Sequence, residues 1–283
     1  MTNANHQQIT RSPLNACRSA LIRGFLSSAP HAVLDEKGYV SEGSQNLIEG
    51  VRLADFEADL RQGDGNEMLK KFRAAHSSSA LAVNTFAPFK ANPAALRLPG
   101  GRDFATLCFE RKCPHGVVGR RSPNLDVLAD GANGLVAVES KCLEHLTPHQ
   151  AQFAPAYDAQ IRDERRESAW FLEMKRLVQG PRSYRWLDAA QLVKHAFGLA
   201  FTFGKRPATL LYLFWEPSNP EAYSAFSEHR AEVTRFAKSI AGGEPRFVAI
   251  SYPELWKLWE AHPEPEWLPA HIGRLRARYG LAV

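Results

Sequence analysis

The apolar positions of this chain change period as it proceeds, and the changes mark out its elements. After a polar lead that stops at Pro13, Leu14, Ala20, Leu21, Ile22 and Phe25 fall at helical spacing and predict a short helix over residues 14–25. Leu47, Val51, Ala54 and Ala58 recur at steps of three and four and predict another within residues 46–60. Gly63-Asp64-Gly65-Asn66 breaks the chain, and Asn66 is a suitable N-cap for a helix over residues 67–76, with Met68, Phe72 and Ala75 on one face. Residues 80–84 are apolar but too few to assign by periodicity. Residues 104–110 predict a strand. Two further apolar runs, 125–129 and 135–138, are separated by Asp130-Gly131 and Asn133-Gly134, dipeptides that favour the positive φ of tight hairpins.

The second half is more strongly patterned. Trp170, Leu172, Met174 and Leu177 predict a helix over residues 163–178, ended by Gly180-Pro181. Trp186, Ala190, Val193 and Phe197 form an apolar stripe over 184–199, with Gln191, Lys194 and His195 as a polar patch on a different face. Residues 208–215 are apolar without alternation, as in a strand buried on both faces. An amphipathic helix over 221–240, a buried strand over 247–250 and helices over 253–260 and 268–279 follow. This succession implies an α/β fold with crossover connections. No repeat or linker interrupts it, so the chain reads as an N-terminal, partly helical extension (1–62) and one domain (63–283).

Composition narrows the setting. At 283 residues the chain can bury a sizeable core. No apolar run approaches the ~20 residues needed to span a membrane, and the polar N-terminus lacks a secretory pattern. Cys17, Cys108, Cys113 and Cys142 include no Cys-x-x-Cys pair, so a reducing, cytoplasmic location is expected. A formal charge of +5 suits a polyanionic partner such as nucleic acid.

The candidate chemistry lies between Pro123 and Lys141. Glu139 and Lys141 are i and i+2 on a strand and share a face. The hairpin folds Asp126, thirteen positions before Glu139, back beside them. Two carboxylates with hard oxygen ligands suit Mg²⁺ (or Mn²⁺), and the backbone carbonyl of Ser140 can complete the set. A lysine beside such an ion can steer or deprotonate the attacking water, or neutralise a phosphate in the transition state. Arg111, Lys112, Arg120 and Arg121 form a basic loop just upstream, and Lys194 adds a further cation for a nucleic-acid backbone. Cys108, Cys113, His115 and Cys142 match no standard zinc spacing. His145, His149 and His195 are taken as surface or capping residues. The bland alternative is an edge hairpin whose Asp126, Glu139 and Lys141 form a surface ion pair.

Pro123-Asn124-Leu125-Asp126 followed across a hairpin by Glu139-Ser140-Lys141 resembles the motif of the PD-(D/E)xK nuclease superfamily, which includes restriction endonucleases, Holliday-junction resolvases and recombination exonucleases. The proline usually precedes its acid directly there, whereas Asn124 and Leu125 intervene here. The resemblance covers about residues 65 to 252. It implies a restriction-endonuclease-like mixed central sheet flanked by helices in αβββαβ order, and Mg²⁺-dependent hydrolysis of phosphodiester bonds, in DNA first of all. By the same resemblance, Glu67 corresponds to a frequent acidic residue on the first core helix, and so to a further metal ligand. Gln191 corresponds to a polar residue on the helix after the lysine strand. A homodimer is compatible with the resemblance. The rival reading is a non-catalytic module on the same fold that binds nucleic acid or protein.

Overall fold

The computed structural model describes residues 12–62, 71–117, 122–160 and 167–283. Its centre is a five-stranded mixed sheet in the order β1-β2-β3-β4-β5, comprising β1 (Phe104–Lys112), β2 (Asn124–Gly131), β3 (Gly134–Lys141), β4 (Ala208–Phe214) and β5 (Arg246–Ser251). β1–β2 and β2–β3 pair antiparallel, while β3–β4 and β4–β5 are parallel. Gly131 pairs with Gly134, so only two residues close the β2–β3 hairpin. A Cβ on Gly134 would lie 2.7 Å from the Pro207 carbonyl, and its φ of +138° suits glycine. β4 is buried along almost its whole length, as its unbroken apolar run requires; β5 is an edge strand and only half-buried.

Strand alternation divides the core into two layers. Val136 and Val138 of β3 face one layer with Leu211 and Leu213 of β4, packed against α1 (Pro13–Ser28), α3 (Ser78–Phe86), α8 (Tyr252–Glu260) and α9 (Leu268–Tyr279). Leu135 and Ala137 face the other with Leu210 and Tyr212, packed against α5 (Ala169–Gln179), α6 (Ala189–Phe203) and α7 (Ser224–Ser239). Two short helices, α2 (Glu57–Gln62) and α4 (Ala156–Gln160), complete the described set.

Three expectations change. The periodic stretch at 46–60 breaks into short 3-10 turns before α2, because its apolar positions are served by separate turns. The helix expected over 67–76 is not found in its described part: only Lys71–Arg73 forms a 3-10 turn, and Glu67 lies outside the described residues. The first core helix is instead α3, capped by Ser77, whose Oγ accepts from the Ala80 N–H. Residues 80 to 86 are all buried, Asn84 and Thr85 among them, so α3 has no exposed polar face to reveal its period. From α3 through β1, β2, β3, α6 and β4 the element order is αβββαβ.

Candidate active site

At the carboxyl end of β3 the sheet opens into a cleft of about 470 Å³, lined among others by Asp126, Glu139, Lys141, Gln191, Lys194 and His195. Strand pairing brings the two acids together: Val127 pairs with Val138, and one step further Asp126 stands opposite Glu139. Asp126 Oδ2 accepts the Ser140 N–H at 2.6 Å, which fixes the acid against the end of β3. Ser140 turns to the opposite face, where its Oγ shares a 2.6 Å hydrogen bond with Tyr252 Oη at the start of α8. Glu139 and Lys141 remain on the cleft face and form an ion pair.

Helix α6 supplies the other wall. Asp188 caps it, accepting the Gln191 N–H at 3.0 Å, so Gln191 lies in the first turn and His195 one turn later. Lys141 Nζ donates to Gln191 Oε1 at 2.8 Å. His195 Nε2 lies 2.8 Å from Glu139 Oε2, without the alignment of a straight hydrogen bond. The helix is held close by Gly198, where a Cβ would stand 2.6 Å from the Cys113 carbonyl.

The electrostatics are uneven. Burial alone would raise the Glu139 carboxyl, but Lys141 and His195 outweigh it and hold it at about 2. Burial opposes charge on Lys141, yet Glu139, Glu144 and Asp126 keep its ammonium protonated, with the pKa raised. Asp126 moves the other way: burial pushes its carboxyl well up, and the charges of Glu139 and Glu110 add to the rise. The cluster is therefore short of positive charge beside Asp126. A hard cation that keeps several waters fits that deficit and this oxygen-rich donor set. Among the described residues no three His, Cys, Asp or Glu side chains converge as a ready metal cage. An ion here would complete its shell from backbone carbonyl and water.

The remaining expected residues are dispersed. Arg111 and Lys112 do not form a loop but end β1, because β1 keeps pairing with β2 through Lys112↔Asn124. Neither lines the cleft. Arg120 and Arg121 lie outside the described residues. Lys194 lines the cleft with its Nζ 5.3 Å over the Phe153 ring, and burial lowers its pKa.

Three cleft residues escape sequence reasoning. His195, expected as a surface or capping residue, is instead buried in the cleft wall, and its i,i+4 spacing from Gln191 was the available signal. Glu110 falls between the Phe109↔Val127 and Arg111↔Leu125 pairs and thus opposite Asp126, with a φ of +50° that is unusual for a non-glycine residue in a strand. Nothing in its sequence context marks it. Lys71 lines the cleft from the turn before α3.

A mixed sheet with two acids and a lysine at the end of its central hairpin is the architecture of the restriction-endonuclease-like PD-(D/E)xK class. The family model described as "Restriction Endonuclease associating with ARP" matches residues 6–280, and the chain belongs to that family. Searches of curated proteins and of solved structures found no match. No described helix is long and apolar enough to cross a membrane.

Proposed function

We propose that this chain is a divalent-metal-dependent nuclease that hydrolyses phosphodiester bonds in DNA. The observation that carries the reading is the convergence of buried Glu139, partly buried Asp126 and Lys141 on one cleft, with Lys141 paired to Glu139. Asp126, Glu139 and the Ser140 carbonyl would hold Mg²⁺ or Mn²⁺. A cation bound there would supply positive charge for the phosphate oxygens and acidify a water molecule. A protonated ammonium has no lone pair, so Lys141 would orient the attacking water and stabilise the phosphate rather than take a proton. Gln191 and Glu139 each accept one ammonium proton of Lys141, leaving the third for water or phosphate. Lys194, at the rim, would meet the DNA backbone. The family's described association with ARP is extended to this chain as an expectation only.

The test is cleavage of linear, circular, single-stranded and branched DNA, with RNA for comparison, in Mg²⁺ or Mn²⁺. Asp126→Ala and Lys141→Ala should each reduce cutting about 10³-fold or more, the scale of losing a transition-state electrostatic partner. Cutting by these folded variants at the wild-type rate would sink the proposal. DNA binding that is indifferent to EDTA, with no nicking of any substrate, would favour the non-catalytic module.

A further inference from the structure

His195 has no part in the chemistry proposed for Asp126, Glu139 and Lys141, yet it is buried against Glu139 in the cleft wall. Its side chain is 1% exposed. Nε2 approaches Glu139 Oε2 at 2.8 Å as an ion-pair contact, and neither ring nitrogen makes an aligned hydrogen bond. Leaving a buried polar nitrogen unpaired is unfavourable, and an apolar residue of similar volume would avoid that cost. The Glu139 contact is thus the polar interaction the structure records for this ring at the cleft.

That contact falls on the one carboxylate oxygen Lys141 does not hold. Lys141 pairs with Oε1 and His195 approaches Oε2, so the Glu139 carboxylate is fixed from both sides. Each partner comes from an element that is itself anchored. Lys141 is tied by Gln191 in the first turn of α6, and His195 follows one turn later on the same helix. Gly198, one turn further, seats α6 against the chain after β1. A carboxylate oxygen can accept more than one contact. With one position on each oxygen taken, Glu139 loses the freedom to rotate about its terminal bond and keeps accepting capacity for an ion in the cleft.

We infer that His195 is a positioning residue: by holding the second oxygen of Glu139, its Nε2 presents that carboxylate to a divalent cation in the cleft. This rests on the metal-dependent reading of the site. Groups that orient a metal ligand in this way change metal affinity by about 10- to 100-fold when removed.

The experiment measures Mn²⁺ binding in the absence of DNA, by calorimetry and by the electron paramagnetic resonance signal of free Mn²⁺. It compares wild type, His195→Leu, His195→Gln and His195→Asn, with a melting curve for each. His195→Leu keeps volume and removes the donor, so Mn²⁺ should bind about tenfold more weakly. His195→Gln places an amide near the Nε2 position and should recover most of the affinity. His195→Asn is one methylene short and should behave like the leucine variant. Wild-type affinity in a folded His195→Leu protein, or a glutamine variant no better than the asparagine one, would overturn the inference. If the leucine variant does not fold, the glutamine–asparagine contrast decides alone. Absence of Mn²⁺ binding by the wild type would overturn both this inference and the metal-dependent reading. Wild-type binding that Asp126→Ala abolishes and the His195 substitutions leave intact would overturn the inference alone.

Discussion

Two buried glutamates, Glu139 and Glu216, are each 2% exposed and each paired with a cation, but they serve opposite ends. The Glu216 pair is closed. Arg230 Nε reaches Oε1 at 2.9 Å while its Nη2 holds Oε2, the two-pronged fit of a guanidinium on a carboxylate. A second acid, Glu254, also contacts Arg230, at 3.2 Å, but it is half-exposed and caps α8 through the Ser251 N–H and Oγ. Its charge is met by water and a helix N-terminus. At Glu139 the cation is a lysine with one point of contact per partner, and the second acid, Asp126, is partly buried at the cleft. Burial and the neighbouring acids leave Asp126 with a raised pKa. A structural ion pair neutralises itself, whereas this cluster keeps a deficit facing open space.

The contrast can be broken from either side. The largest effect is the loss of cleavage in Asp126→Ala and Lys141→Ala, with folding retained, as set out above. The complementary change, Arg230→Ala, strands a buried carboxylate and should destabilise the fold by about 3 kcal/mol in urea titrations, while cleavage by the folded fraction is unchanged. Stability retained within 1 kcal/mol would remove the distinction drawn here. Next, Mn²⁺ at about a hundred times its dissociation constant should stabilise the wild type by about 2.7 kcal/mol, visible as a rise in melting temperature, and should leave Glu139→Ala unmoved.

The smallest effect concerns pH. Because the Asp126 pKa is higher folded than unfolded, the native state binds its proton more tightly, so this group favours folding at low pH. That contribution is lost as pH rises from the ordinary aspartate range through the raised folded value. Metal-free Asp126→Asn should therefore be more stable than wild type near neutrality. The gap should close toward pH 4. A gap that widens on acidification would give the wrong sign.

Much of the fold was legible because its strongest signals are local. The hairpin was readable from Asp130-Gly131, Asn133-Gly134 and the two apolar runs, and β4 from its unbroken run. The juxtaposition of Asp126, Glu139 and Lys141 followed from the strand period and the hairpin, while Gln191 was expected beside them only through the family resemblance. What was not legible depends on burial and register. Helix α3 is short and buried from Ala80 to Phe86, its Asn84 and Thr85 included, so no exposed polar face marks its period. Glu110 depends on a cross-strand alignment and an uncommon φ, neither written in its neighbours. Arg111 and Lys112 look like loop cations because exposed strand ends and basic loops have the same composition.

One contact made far from the cleft bears on how the chain comes to be folded at all. Helix α1 lies against α9, and Arg278 of α9 donates to the Leu21 carbonyl across 257 residues of sequence. Gly24 permits the approach, since a Cβ there would meet Leu281 and the Arg278 carbonyl. During synthesis α1 leaves the ribosome early, and its apolar face has to wait for the helix that covers it. Until α9 emerges, the nascent chain carries an open apolar seam that only the last helix closes.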